Sequence, residues 1–190
     1  GGNVQGVATL PLLSKVKSGD VVVLELDSWQ LQGFGDLRIS PSVSVFTTFM
    51  PDHLNYYKGD LNKYFEDKAN IYKNQKGKDI FIAGEQLCSL PVNFTKRFPK
   101  GTHFVSERVL PKSIHIKIPG EHNVYNAALA FAVARAMKVP RNTTARALEK
   151  FKGVSGRLEK IARKRGVDIY NDTTATTPHA TAGALEAIGR

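Results

Sequence analysis

The apolar positions of this chain fall into short blocks whose spacing switches between helical and extended periods. Val4 to Val16 carries apolar residues along one helical face, and Gly19-Asp20 ends it. Val21 to Leu26 is a continuous apolar run broken only by Glu25, the pattern of a strand covered on both faces in a parallel sheet. Ser42 to Thr47 is a weaker run of the same kind. Leu61 to Lys73 predicts a helix, because Leu61, Tyr64, Phe65, Lys68 and Tyr72 fall near one face. Asp79 to Ala83, His103 to Ser106 and Ile114 to Ile118 are predicted strands, while Gln86 to Phe98 follows neither period cleanly. Pro119-Gly120 opens an alanine-rich helix, Asn123 to Met137, which Val139-Pro140 stops. A further helix is expected over roughly Thr143 to Phe151. Lys152 to Gly156 holds two glycines and a serine and predicts a hinge. Leu158 to Ala162 and Val167 to Asn171 are strand-like, and a last helix begins near Pro178. Strands alternating with helices predict an α/β fold with a mostly parallel sheet flanked by helices.

With 190 residues, 42% of them hydrophobic and 23% charged, the chain has room for one globular domain and the start of another. The longest apolar stretch, Ala127 to Val133, is too short to span a bilayer, so no transmembrane helix is expected. Gly1-Gly2-Asn3 has neither an initiator Met nor the plan of a signal peptide, so the expected origin is a cut inside a larger protein. Cys88 is the only cysteine, which excludes an intramolecular disulfide and a cysteine-based zinc site and fits a reducing, cytoplasmic setting. Asn93-Phe94-Thr95 and Asn142-Thr143-Thr144 match the glycosylation pattern, by chance on this reading. The net charge of +10 fits a nucleic-acid surface, a site for nucleotide phosphates, or a plain basic surface. The cations are dispersed, as in Lys58, Lys63, Lys68, Lys73, Lys76 and Lys78, and no aromatic-interleaved RNA motif occurs. A nucleic-acid-binding module therefore stays only as a rival of another class, one that predicts steeply salt-dependent binding.

Four places can carry chemistry. Glu25 sits at the end of the first apolar run, where a buried carboxylate needs a cation or a metal; the plain alternative is a strand end already in water. His53 follows the strand Ser42 to Thr47, again at a carboxyl end, where open α/β sheets bind ligands. A carboxylate, an imidazole and added waters suit Mg²⁺. Asn123 and Asn126 share a face in the first turn of the alanine-rich helix, either as a helix cap or as partners of a nucleotide. Asn171 to Thr176 is a polar loop between a strand and a helix. No G-x-x-x-x-G-K-[ST], G-x-G-x-x-G or G-x-S-x-G motif occurs, which removes a P-loop, a dinucleotide fold and an α/β-hydrolase.

Taken in order, Gly2-Asn3, VLELDSWQL (Val23 to Leu31), DHLNYY (Asp52 to Tyr57), DKANIY (Asp67 to Tyr72), GEHNVYNAALA (Gly120 to Ala130), GRLE (Gly156 to Glu159) and YNDTTATT (Tyr170 to Thr177) resemble the Mur ligases. VLELDSWQL is most similar to their D-glutamate-adding type. The resemblance implies that residues 1–152 are a central ATPase domain whose phosphate loop lies upstream. Residues 153–190 would then be the hinge plus the first strand and helix of a Rossmann-like C-terminal domain. It implies Mg²⁺ ligation by Glu25, His53 and Lys68, the last as a carbamate, with these three as the catalytic set. It implies ATP contacts from Asn123, Asn126, Arg157 and Asp172, and substrate contacts from Asn3, Asp27, Gln30, Thr174 and Thr176. Asp27, Asn55 and Thr174 depart from the family's usual Ser, Asp and Lys. The implied cofactors are ATP and Mg²⁺. The implied substrates are UDP-N-acetylmuramoyl-L-alanine and D-glutamate, joined through an acyl phosphate during peptidoglycan synthesis. A monomeric cytoplasmic enzyme is implied, bound neither to nucleic acid nor to membrane. This chain alone is expected to be inactive. A sibling amide ligase, another Mur enzyme or a folylpolyglutamate synthetase, is the nearest rival.

Overall fold

The computed structural model describes residues 1–3 and 8–189. Its helices and strands run α1 (Ser28–Asp36), β1 (Val43–Phe46), α2 (Leu61–Lys73), β2 (Ile80–Gly84), α3 (Val92–Thr95), β3 (His103–Val105), α4 (Glu121–Ala136), α5 (Arg141–Lys150), β4 (Glu159–Lys164), β5 (Val167–Asn171) and α6 (Pro178–Ile188). The chain forms two compact units, Gly1–Ser44 with His53–Asp79, and Val45–Asp52 with Ile80–Arg190.

In the first unit α1 packs on α2. Their facing residues are the apolar ones: Leu31 from α1 and Tyr64, Phe65, Ala69 and Tyr72 from α2 are all buried. The α2 set recurs every three to four residues, so one stripe of the helix faces inward. Asp60 begins α2 by accepting the Asn62 and Lys63 backbone N–H groups. The Ser40 hydroxyl ties the far end, donating to the Asn70 carbonyl at 2.6 Å and accepting from Asn74 N–H at 3.0 Å.

In the second unit a three-stranded sheet has the order β1-β2-β3, with β2 and β3 parallel. Ile82, Val105, Leu110, Ile114, Ala127, Ala128, Leu129 and Phe131 form its buried core, to which α4 contributes Ala127, Ala128, Leu129 and Phe131. Gly84 ends β2 where a methyl group would overlap the Tyr125 hydroxyl and the Thr47 carbonyl, so only glycine fits. β4 and β5 pair antiparallel as a hairpin. Its two-residue loop, Arg165-Gly166, has both φ values positive (49° and 83°), the turn that matches strand twist. No helix among the described residues is long and apolar enough to cross a membrane.

Several sequence expectations change. Val21 to Leu26 is not a covered strand: Val21 is 69% and Val23 77% exposed, and the run makes only an isolated bridge between Gly2 and Glu25. Its apolar character signals burial, but the ladder bonds that would make a strand extend only to Gly1–Asn3 among the described residues. The helix expected over Val4 to Val16 is a short 3₁₀ turn, Leu10–Ser14, with Val4 to Val7 outside the described residues. Pro11 near its start and Gly19-Asp20 beyond leave little length for a regular helix. Ile114 to Ile118 is no strand; Ile114 drops into the core and Ile116 packs against it, between polar neighbours. The last two strands, expected as separate extended segments, pair with each other as an antiparallel hairpin.

Candidate functional site

Around Tyr64 of α2 the first unit gathers two of the residues that the sequence singles out, His53 and Lys68. The His53 ring lies 6.1 Å from the Tyr64 ring, and the Lys68 ammonium lies 5.1 Å over its face. Lys68 follows Tyr64 by one helical turn, so its position comes from the α2 repeat. His53 is held in the left-handed region at φ 54°, a conformation that costs a non-glycine residue energy and therefore needs support. The Trp29 ring of α1 lies 4.6 Å from the imidazole, and Tyr56 sits edge-on to Trp29 at 5.4 Å. The indole, two residues past Asp27, was not singled out by sequence reasoning; the only signal is that it is the one tryptophan, flanked by the motif.

Glu25 lies four residues before Trp29. Its backbone is fixed twice, by its N–H donating to the Gly1 carbonyl at 3.0 Å and by its carbonyl accepting from Asn3 N–H at 2.6 Å. Gly2 packs against this backbone so closely that any side chain there would overlap Glu25. The Glu25 residue itself is exposed. Among the described residues no three His, Cys, Asp or Glu side chains cluster as metal ligands.

Asp27 and Gln30 have a local role the sequence reading overlooked along with α1 itself. Asp27 Oδ1 accepts from Gln30 N–H at 2.8 Å, and Gln30 Oε1 accepts from Asp27 N–H at 3.1 Å, a reciprocal box that starts α1. The spacing Asp-x-x-Gln was the readable signal. The box occupies one oxygen of each side chain and leaves the second Asp27 oxygen and the Gln30 amide NH₂ for other partners. Asp27→Ala should therefore lower stability by about 1 kcal/mol through the lost cap, seen as a shift of the urea midpoint; no shift would mean that α1 does not depend on the box.

A separate pocket of about 540 Å³ in this unit is walled by Gln32, Tyr56, Tyr57 and Asp67, with Lys58 and Lys63 at its edge. Gln32 and Tyr57 both donate to Asp67 Oδ2, at 2.7 and 2.9 Å. Burial, reinforced by the Asp67 carboxylate, pushes the Tyr57 phenol up to about 12, so it stays a hydrogen-bond donor at neutral pH.

In the second unit Asn123 and Asn126 occupy the first two turns of α4. Asn123 does not cap the helix, since its amide donates to the Pro119 carbonyl at 2.6 Å, and Asn126 is exposed. Gly120, at φ 99°, is the N-cap and offers no side chain. Farther along, the loop after β5 clasps the turn before β4. Asp172 Oδ1 accepts from Leu158 N–H at 3.0 Å, and the Thr174 hydroxyl donates to the Gly156 carbonyl at 2.7 Å. Arg157, exposed, sits inside that clasp, so three of the sequence-selected residues are brought together. Thr176 is exposed farther along the loop. Glu159 completes the turn by accepting from Gly156 N–H and the Ser155 hydroxyl, both at 2.8 Å, which holds its carboxyl below the ordinary range.

This α/β architecture is similar in fold to two solved structures. MurF of Acinetobacter baumannii superimposes with a TM-score of 0.70 over 94% of this chain and 44% of that one, at 20% identity. MurC of Thermotoga maritima does so with a TM-score of 0.59 over 86% of this chain and 41% of that one, at 21% identity. The Mur ligase middle domain profile matches residues 5–86. A UDP-N-acetylmuramoylalanine–D-glutamate ligase of Pelodictyon phaeoclathratiforme is 34% identical over 98% of this chain and 47% of its own length. The protein of the same name in Aquifex aeolicus is 30% identical over 87% of this chain and 41% of its own. The chain belongs to the Mur ligase family. It spans about half the length of the curated relatives it matches.

Proposed function

We propose that this chain is the catalytic part of an ATP-dependent ligase that adds D-glutamate to UDP-N-acetylmuramoyl-L-alanine. The observation that carries the reading is the convergence of His53 and Lys68 on one buried tyrosine, Tyr64. Relatives bearing that enzyme's name along nearly the whole chain support it. In this reading residues 1–152 belong to the ATPase domain and residues 153–190 open the ligase domain.

Glu25, His53 and a carbamylated Lys68 would hold Mg²⁺, which neutralises charge on the nucleotide phosphates when bound. A carbamate turns a cation into an oxygen ligand, so the set becomes two anions and a neutral imidazole, suited to a hard divalent ion. Trp29 keeps the imidazole of His53 in one orientation. The open oxygen of Asp27, the Gln30 amide and Asn3 would orient the muramoyl substrate. Asn123, Asn126, Arg157 and Asp172 would meet ATP, and the clasp around Arg157 would place Thr174 and Thr176 beside the nucleotide-facing loop. Closing such a site on the acyl phosphate keeps water from hydrolysing it.

The test is an amide-ligation assay with a polypeptide of the relatives' full length that carries this chain. Phosphate release should require UDP-N-acetylmuramoyl-L-alanine and D-glutamate together. Turnover with L-alanine, L-lysine or a folate substrate in place of D-glutamate would move the chain to a sibling ligase.

A further inference from the structure

The second unit holds a pocket of about 380 Å³ where the C-terminal turn of α4 meets the start of α5. Its base and sides are apolar: Phe131, only 4% exposed, with Val109, Pro111 and Val139. Two arginines complete the lining, Arg135 in the last turn of α4 and Arg141, the first residue of α5. Among the described residues neither arginine has an ion pair or a side-chain hydrogen bond. The same corner carries the positive end of α5. That helix has no side-chain cap, and its first bonds, Thr143 and Thr144 N–H to the Pro140 carbonyl at 2.9 and 3.1 Å, leave the Arg141 and Asn142 N–H groups outward. The wall residue Thr144 is buried and donates its hydroxyl to the Pro140 carbonyl at 3.3 Å, which leaves its oxygen as an acceptor only.

Two unpaired arginines over an apolar base are a combination that a plain solvated surface does not require. Arginine is weakly hydrated, and its planar fork matches carboxylate and phosphate oxygens two at a time. The volume lies at the small end of ligand sites. We propose that this pocket binds a small amphipathic anion, with a phosphate or carboxylate head between Arg135 and Arg141 and an aromatic or branched aliphatic group seated on Phe131. It is a different place from the nucleotide end of α4: twelve residues separate Asn123 from Arg135, about 18 Å along the helix axis. The proposal does not depend on the ligase reading.

Calorimetric titration of the chain with phenyl phosphate, benzoate, inorganic phosphate and phenol tests it. Phenyl phosphate or benzoate should bind at least tenfold more tightly than inorganic phosphate and than phenol, and the better of the two identifies the head group. The double variant R135Q/R141Q should lose at least tenfold in that affinity, while R146Q, on the same helix but outside the pocket, should not. In the unaltered chain the amide resonances of Val109, Arg141 and Thr144 should shift during the titration. Equal binding of inorganic phosphate, equal loss in R146Q, or shifts elsewhere only would overturn the proposal and leave diffuse attraction to a basic surface. Absence of binding by both aryl anions would overturn it outright.

Discussion

Phe65→Ala is expected to lower the stability of the first unit by about 3–5 kcal/mol, the usual cost of emptying a buried phenylalanine. Phe65 is fully buried on α2, in the stripe with Tyr64, Ala69 and Tyr72 and opposite Leu31 of α1. That stripe is where this unit keeps its apolar burial, because the other apolar run, Val21 to Val23, lies open to solvent. A hole beneath α2 therefore has little other packing to offset it. The control is Val23→Ala, at a side chain 77% exposed, which should move stability by no more than about 0.5 kcal/mol. Urea unfolding of both variants separates the cases. A change below about 1 kcal/mol for Phe65→Ala would show that the helix pair is not what holds the unit.

The same contrast explains what was legible beforehand. Leu61–Lys73 is readable to the residue because its period, its Asp60 cap and its buried stripe agree. β1, β2, β3, α4, α5 and α6 are found close to their expected places for the same reason: local pattern and tertiary burial point one way. Val21 to Leu26 shows the opposite. An apolar run states what a segment can bury, but pairing partners decide whether it does, and those are not local information. α1 was missed because Gly33 and Gly35 weaken its helical signal, although its Asp-x-x-Gln box was there to be read. The strands of the β4–β5 hairpin were expected but their pairing was not, because Arg165 supplies one of the two positive-φ turn positions, where Asn or Asp is the familiar cue. For the site, residue types and motif order picked out Glu25, His53 and Lys68. They did not show that Trp29 and Tyr64 furnish ring contacts to His53 and Lys68, because contacts between side chains of α1, α2 and the loop after β1 have no fixed spacing along the chain.

The chemistry at Lys68 yields the second large effect. In a full-length ligase carrying this chain, Lys68→Ala should lower kcat by about 10²–10³-fold, since metal-borne charge neutralisation contributes several kcal/mol to such reactions and each 1.36 kcal/mol is tenfold. Lys68→Arg separates two accounts of the residue. The ammonium over the Tyr64 ring is a cation–π contact that arginine can reproduce, so a purely cationic role would leave Lys68→Arg within about tenfold of the parent. A carbamate role cannot be reproduced, because a guanidinium does not become a carbamate and stays cationic at any working pH. Lys68→Arg should then fall as far as Lys68→Ala, and the parent, unlike either variant, should lose activity when bicarbonate and dissolved CO₂ are removed. Lys68 is only half-buried and adds little to the core, so both variants should unfold at close to the parent urea midpoint. Retained turnover in Lys68→Arg, with no dependence on bicarbonate, would remove the carbamate and with it the third donor proposed beside Glu25 and His53.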